Sequence, residues 1–281
     1  MSNECRVEAI SIYPVKSLKG ISVSEAVLTT KGFQYDRHWM IVNPKGHFLT
    51  QRQCARMALI HTELNSETLR LSNPETETPL DISLLNHQYS EPLNGRIWKN
   101  DVNIVDAGDT ASRWLTDVLK TPWPVRLVKM ADGFERIVDQ SDKLSSGNTE
   151  VTTEFADGYP YLIANQASLD AVNQKLDSPI KMNRFRPNIV ISGLSAFEEH
   201  NVEAIMSDGI EFSLRYPCER CVITTIDQST AIASESRSPL KELIEINPMP
   251  NKSAAAFGEN AELIAGIGKK LRVGDVFKIK E

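Results

Sequence analysis

No stretch of the chain approaches the roughly 20 consecutive apolar residues that a membrane-crossing helix needs. The N-terminus, MSNECRVEAI, also lacks the basic segment and apolar run of a secretory signal. Membrane association and secretion are therefore not expected, and the cytoplasm is the expected compartment. Positive charge is short as well. Lys and Arg number 31 against 37 Asp and Glu, a net charge of -6, which argues against a nucleic-acid partner but leaves room for a local cluster of cations around a small anion. Cysteine is scarce, with Cys5, Cys54, Cys218 and Cys221 alone in 281 residues. Four so unevenly spaced do not make a disulfide framework, so reduced thiols are expected. A structural zinc site lacks its ligands, because the histidines (38, 47, 61, 87 and 200) form no H-x-x-x-H pair and there is no second C-x-x-C. The glycines of a phosphate-binding P-loop are missing ahead of Lys16-Ser17, which excludes that mode of nucleotide binding. No internal repeat is present.

What remains is an ordinary globular composition, 41% apolar and 24% charged, in a chain long enough for one or two cores. Short strands dominate the pattern. Ile10 and Ile12 alternate with polar neighbours before Tyr13-Pro14, and Trp39 and Ile41 do so after Asp36. Asn43-Pro44-Lys45-Gly46 marks a turn, and residues 60–105 continue as short strands. A helix is predicted over 109–120, capped by Asp109, with Ala111, Trp114, Leu115, Val118 and Leu119 on one face. The Thr121-Pro122-Trp123-Pro124 run after it divides the chain into residues 1–122 and 123–281. Residues 141–153 read as a polar loop. An apolar run from Tyr159 to Ala164 leads into a second helix from Asn165 to Leu176, and such a junction offers free N–H groups to an anion. Ser238-Pro239 starts a third helix. The tail alternates Val273, Val276 and Ile279, as a closing hairpin or barrel strand would. The predicted class is α+β, mostly β, and rich in barrel strands.

The segment Tyr216-Pro217-Cys218-Glu219-Arg220-Cys221 carries the most chemistry. A thioredoxin-like pair would set its reactive cysteine at a helix N-terminus, whereas the β-branched residues after Cys221 predict a strand. A single soft thiolate for a sulfur-accepting metal such as molybdenum is a second reading. Two buried, inert thiols are a third. Arg220 beside Cys221 favours a thiolate. Basic residues also recur at strand ends: Lys16 with Ser17, Arg37, and the pair Arg184 and Arg186, which strand alternation would place on one face with Phe185 on the other. Arginine clamps phosphate or carboxylate with two parallel hydrogen bonds and a charge that does not titrate away.

Taken together, the segments YPVKSLKG (13–20), YDRHWMIV (35–42), YLIANQASL (161–169), RFRPNIVISG (184–193), PCERCVITTID (217–227) and RVGDVFKI (272–279) resemble, in order, those of MOSC proteins with an associated N-terminal β-barrel domain. That group includes the mitochondrial amidoxime-reducing component and bacterial relatives. The resemblance implies a β-barrel MOSC domain packed with an N-terminal β-barrel-like domain. It implies a molybdenum cofactor, the metal held by the dithiolene of a molybdopterin. Cys221 matches the catalytic, molybdenum-binding thiolate. Lys16, Ser17, Arg37, Arg186, Asn188 and Arg220 match cofactor-binding positions. Asn165 and Gln166 stand where relatives place a strand-to-helix turn against the cofactor, although with Ser-Glu there.

The implied activity is that of an oxidoreductase reducing small N-hydroxylated compounds such as amidoximes and hydroxylamines. The C-x4-C-x2-C spacing of a fused iron–sulfur domain is not present before Glu281. A separate electron-donor protein of ferredoxin, flavin or cytochrome type is therefore expected. Pyridoxal phosphate is not, since no lysine stands out for a Schiff base. Two alternatives remain at this stage: a cofactor carrier or sulfur-transfer protein acting through Cys221, and a thiol–disulfide protein using both Cys218 and Cys221.

Overall fold

The computed structural model describes residues 3–85, 91–138, 150–250 and 254–280. The predicted loop at 141–153 falls outside these residues up to 149. Its last two, Thr152–Thr153, pair with Arg136–Ile137.

Seven strands close into a barrel. In spatial order they are Ile189–Ser192, Tyr161–Asn165, Ala256–Ala265, Ile210–Glu219, Ala204–Ser207, Val276–Lys280 and Glu4–Ile12, the last pairing back onto the first. Closure satisfies every strand edge. Tyr161–Asn165 and Ile189–Ser192 run parallel, so a crossover must join them. It is supplied by the helix Gln166–Asn173 and the turns after it. In the first strand Cys5 and Val7 point inward, and then Ile10 and Ile12, because a bulge between Val7 and Ala9 shifts the two-residue period. Phe33, Tyr161, Phe212 and Phe277 fill the barrel, each burial stabilising by about 1.5–3 kcal/mol. Cys5 lies among them, where burial pushes its thiol up to about 11, an inert core thiol.

A second sheet, a half-barrel, orders Trp39–Val42, Arg126–Met130, Asn100–Asp106 and Leu93–Ile97. The helix Asp109–Leu119 packs Ala111, Leu115, Val118 and Leu119 against Trp39, Ile41 and Leu127. The strands His61–Leu64, Thr68–Ser72 and Leu80–Ser83 close the other side of that core with Leu69, Leu71, Leu80 and Ile82. Both sheets draw strands across position 122. Glu4–Ile12 belongs to the barrel of later residues, and Arg126–Met130 to the earlier sheet. No described helix is long and apolar enough to cross a membrane.

Several local expectations need correction. Asp109 is the first helical residue and Gly108, at φ 93, is the cap. The Asp109 carboxylate pairs with Arg126 instead. The third helix spans Leu240–Ile246 and is preceded by Pro239, while Ser238 donates to Glu242 rather than capping. Of the two forms expected for the tail, the barrel strand is the one found. Lys270–Arg272 pairs with Glu25–Thr29, and Val276–Lys280 is a barrel strand. Its buried residues are Leu271 and Phe277, whereas Val273 and Val276 are exposed.

Candidate functional site

One cavity gathers Lys16, Ser17, Arg37, Arg186, Asn188, Arg220 and Cys221, together with Asp157, Tyr159, Leu162, Cys218, Glu219 and Asn260. Its walls come from the loop after the first barrel strand, the turns at 35–38 and 182–188, and the end of Ile210–Glu219.

At the cationic end, two guanidinium groups pack on the buried Tyr13 ring, with Arg37 Cζ and Arg186 Cζ both 4.3 Å from its centroid. Ser17, Arg37 and Arg186 adopt left-handed backbone at φ 66, 49 and 56. Non-glycine residues hold that conformation at a cost on the order of 1 kcal/mol each, and such strain collects at ligand sites. Arg37 is anchored, donating to Asp36 Oδ2 at 2.5 Å, Asn188 Oδ1 at 3.0 Å and Arg186 O at 3.2 Å. Asp36 is buried and accepts from Tyr13 N at 2.8 Å. Burial pushes its carboxyl up, and Arg37 pulls it back toward the ionised form. The Asn188 amide is occupied by the scaffold, accepting from Leu162 N and donating to Ser11 O.

Arg186 differs from its neighbours. Among the described residues nothing accepts a hydrogen bond from its guanidinium, and the Tyr13 ring is its packing partner. Burial lowers its pKa to about 10, so it stays charged at neutral pH. Lys16 is buried at 4% exposure, donates to Phe155 O at 2.8 Å and forms an ion pair with Asp157 at the cavity rim. Burial brings the ammonium down to about 8 despite that carboxylate. Arg184 and Arg186 do not share a face, correcting the expectation of a strand. Met182–Arg184 is a 3-10 turn, Phe185 is drawn into the core against Phe257, and Arg184 pairs with Asp227 at 2.9 Å.

The thiol end also departs from the expected strand. Pairing of Ile210–Glu219 stops where Glu219 meets Ala256, and Cys221 precedes a 3-10 turn, Val222–Thr225. Thr224 Oγ1 donates to Cys221 O at 3.0 Å and Thr225 Oγ1 to Val222 O at 2.7 Å, so the threonine hydroxyls satisfy carbonyls that a ladder would otherwise serve. Cys221 is exposed and Cys218 half-buried. Arg220 Nη1 donates to Cys218 Sγ at 3.0 Å, not to Cys221, and Nη2 to Phe185 O at 2.7 Å. Its Nε is buried without a partner among the described residues.

Asn165 and Gln166 do not line the cavity. Asn165 is fully buried, caps its own helix by accepting from Ala167 N, and donates to Ser195 O at 2.7 Å. Gln166 donates to Asp170 on the surface. That helix start spends its cap on itself. Conversely, Asp157, Tyr159 and Asn260 line the cavity without having been singled out, since each sits outside any motif. The Tyr159 hydroxyl is buried without a partner among the described residues.

The lining thus sets four cations, Lys16, Arg37, Arg186 and Arg220, against two acids, Asp157 and Glu219, with an exposed thiol beside them. Among the described residues no three His, Cys, Asp or Glu side chains converge as a metal cage. A cation-rich cavity with two thiols in its lining, the exposed Cys221 and the half-buried Cys218, thus opens beside a closed barrel. Residues 4–122 match the MOSC N-terminal beta barrel domain and residues 150–279 match the MOSC domain. Mitochondrial amidoxime-reducing component 1 of Mus musculus is 31% identical, with the match covering 90% of this chain and 74% of the relative. Mitochondrial amidoxime reducing component 2 of Rattus norvegicus is 35% identical over 84% of this chain and 71% of its own. Mitochondrial amidoxime-reducing component 1 of Homo sapiens is 32% identical over 84% and 70%. The chain belongs to the MOSC family that includes these amidoxime-reducing components.

Proposed function

We propose that the cavity holds a molybdenum cofactor and that the chain is an oxidoreductase removing oxygen from small N-hydroxylated compounds, amidoximes and hydroxylamines among them. Electrons would come from a separate donor protein. The observation that carries this reading is Arg186, a half-buried cation that finds no acceptor among the described residues, in the same cavity as the exposed Cys221 thiol. A guanidinium that packs on a ring and lines a cavity keeps its N–H donors for an anion, so this end of the cavity fits one.

Lys16, Ser17, Arg37 and Arg186 would hold the phosphate and pterin. Asn188 would act through Arg37, Arg220 would add positive charge beside the thiols, and the Cys221 thiolate would ligate the metal. When bound, the cofactor supplies the two-electron, oxygen-accepting chemistry, and the protein supplies orientation and electrostatics. The fixed guanidinium groups cost no reorganisation when an anion arrives, since Tyr13, Asp36 and Asn188 already hold them. Lys16 stays largely protonated near neutral pH and so adds a positive charge there.

The test is metal and pterin analysis of anaerobically purified protein expressed with molybdate, beside Cys221→Ser, followed by turnover of benzamidoxime with a reduced dye. Near-stoichiometric molybdenum and pterin, with turnover lost in the variant, supports the reductase. Cofactor without turnover moves the reading to a carrier or to sulfur transfer through Cys221. No molybdenum or pterin, under conditions that load another molybdoenzyme, overturns both.

A further inference from the structure

Gln51 and Gln228 meet in a buried amide pair, at 1% and 4% exposure. Gln51 Nε2 donates to Gln228 Oε1 at 3.1 Å, and Gln228 Nε2 returns a bond to Gln51 Oε1 at 2.9 Å. Each amide spends its second N–H on a main-chain carbonyl. Gln51 donates to Ser17 O at 2.8 Å and Gln228 to Ile226 O at 3.1 Å. Both side chains are therefore fully engaged. The carbonyls they hold belong to the two segments that meet at the cavity: Ser17, next to Lys16, and the residue that follows the Val222–Thr225 turn after Cys221.

We infer that Gln51 and Gln228 are positioning residues, a bridge that fixes the Lys16–Ser17 loop relative to the Cys221 turn so that one ligand can engage both ends of the cavity. The inference rests on the cofactor reading proposed above. An apolar contact at this place would supply burial but would let the two segments slide. A fully satisfied hydrogen-bonded pair specifies one separation. Ser17 sits at φ 66, a conformation costly for a non-glycine residue, so its carbonyl is a natural point at which to secure that loop. Neither glutamine lines the cavity, and an effect on the ligand must act through the segments they hold.

The experiment measures how fast pterin leaves the purified holoprotein, well below the unfolding temperature, for wild type, Gln51→Leu, Gln228→Leu, the double variant and Gln51→Asn. Apoprotein unfolding temperatures are taken alongside. Each Leu variant is expected to release pterin about tenfold faster, as one lost buried amide interaction predicts. The double variant should be no more than about threefold faster than the quicker single, because either change already breaks the bridge. Gln51→Asn keeps an amide but withdraws it by one methylene, so it should fold and shift release in the same direction by less. Should a Leu variant fail to accumulate, Gln51→Asn carries the test. Wild-type release rates with lowered unfolding temperatures overturn the inference, as do effects that simply multiply in the double variant. A wild type that never carries pterin overturns the cofactor reading and the bridge with it. A loaded wild type whose variants release pterin at its own rate overturns the bridge alone.

Discussion

The short strand Tyr161–Asn165 leads from one buried polar cluster to another, and the two are built differently. Beyond Asn165, Glu199 is fully buried and accepts from Ser168 Oγ at 2.8 Å and Asn165 Nδ2 at 3.2 Å. Ser168 Oγ in turn accepts from Phe197 N. The neighbouring His200 lies between Glu259 and Asn247. At the other end, next to Tyr159 and Leu162, the Tyr159 hydroxyl and Arg220 Nε have no partners among the described residues, where the Arg186 guanidinium packs on an aromatic face and finds no acceptor. The first cluster is closed among protein groups and stabilises the fold. The second keeps bonding capacity in reserve, which costs stability unless something else occupies it. Burial of charge alone does not mark a site; a cavity lined by cations with donors to spare does.

The largest expected effect breaks this comparison at its open end. Arg186→Met should lower retained molybdenum and pterin at least a hundredfold while leaving the apoprotein unfolding temperature unchanged or raised, because no protein acceptor is lost. A marked fall in apoprotein stability would instead make Arg186 a scaffold residue. At the closed end the expectation reverses. Glu199→Ala should cost about 2–4 kcal/mol in denaturant unfolding by stranding Ser168 and Asn165, with cofactor content per folded molecule unaltered.

Lys16 gives a smaller and pH-dependent contrast. Its folded-state pKa of about 8 lies below the ordinary value of 10.5. Its contribution is therefore full above 10.5 and lost as pH falls through 8. Apoprotein carrying Lys16→Met should exceed wild type by about 1–3 kcal/mol at pH 7, and the advantage should vanish above the ordinary lysine range. Unfolding curves across pH 7–11 measure it. The smallest effect concerns Glu259, which burial pushes up to about 7, with His200 pulling it back. A raised carboxyl contributes fully below its ordinary 4.5, and that contribution is lost as pH rises through 7. The pH 4.5–7 decline in stability should flatten by about 1 kcal/mol in Glu259→Gln, and an unchanged slope would remove Glu259 from the closed cluster's titration.

Much of this was legible before any coordinates. Alternation marked the strand around Ile10 and Ile12, helical spacing marked 109–120 within a residue of Asp109–Leu119, and the basic segments and Cys221 do line one cavity. The failures share a cause. Val222–Thr225 has strand-forming residues, but the ladder with Ala256–Ala265 has already ended at Glu219, and β-branched residues without a partner strand fold back on their own carbonyls. Arg184 and Arg186 part because Phe185 stacks on Phe257, 3.7 Å between centroids, and the chain turns to let it. The helix start at Asn165 offers free N–H groups, and its own side chain takes one of them. Gln51 and Gln228 carry no motif, and their partnership joins residues far apart in the chain.

By itself, the sequence determined the supply of chemistry: a few thiols, arginines and lysines at strand ends, and the short apolar periods that make barrel strands. These are local properties, set by residue type and spacing. The tertiary structure decided which cations would be neutralised and which left open, that Arg220 would serve Cys218 rather than Cys221, and that Lys16 and Cys221 would face the same space. Pairing depends on distance between groups brought together by barrel closure, and a guanidinium is free or bound according to what the rest of the chain places within about 3 Å of it.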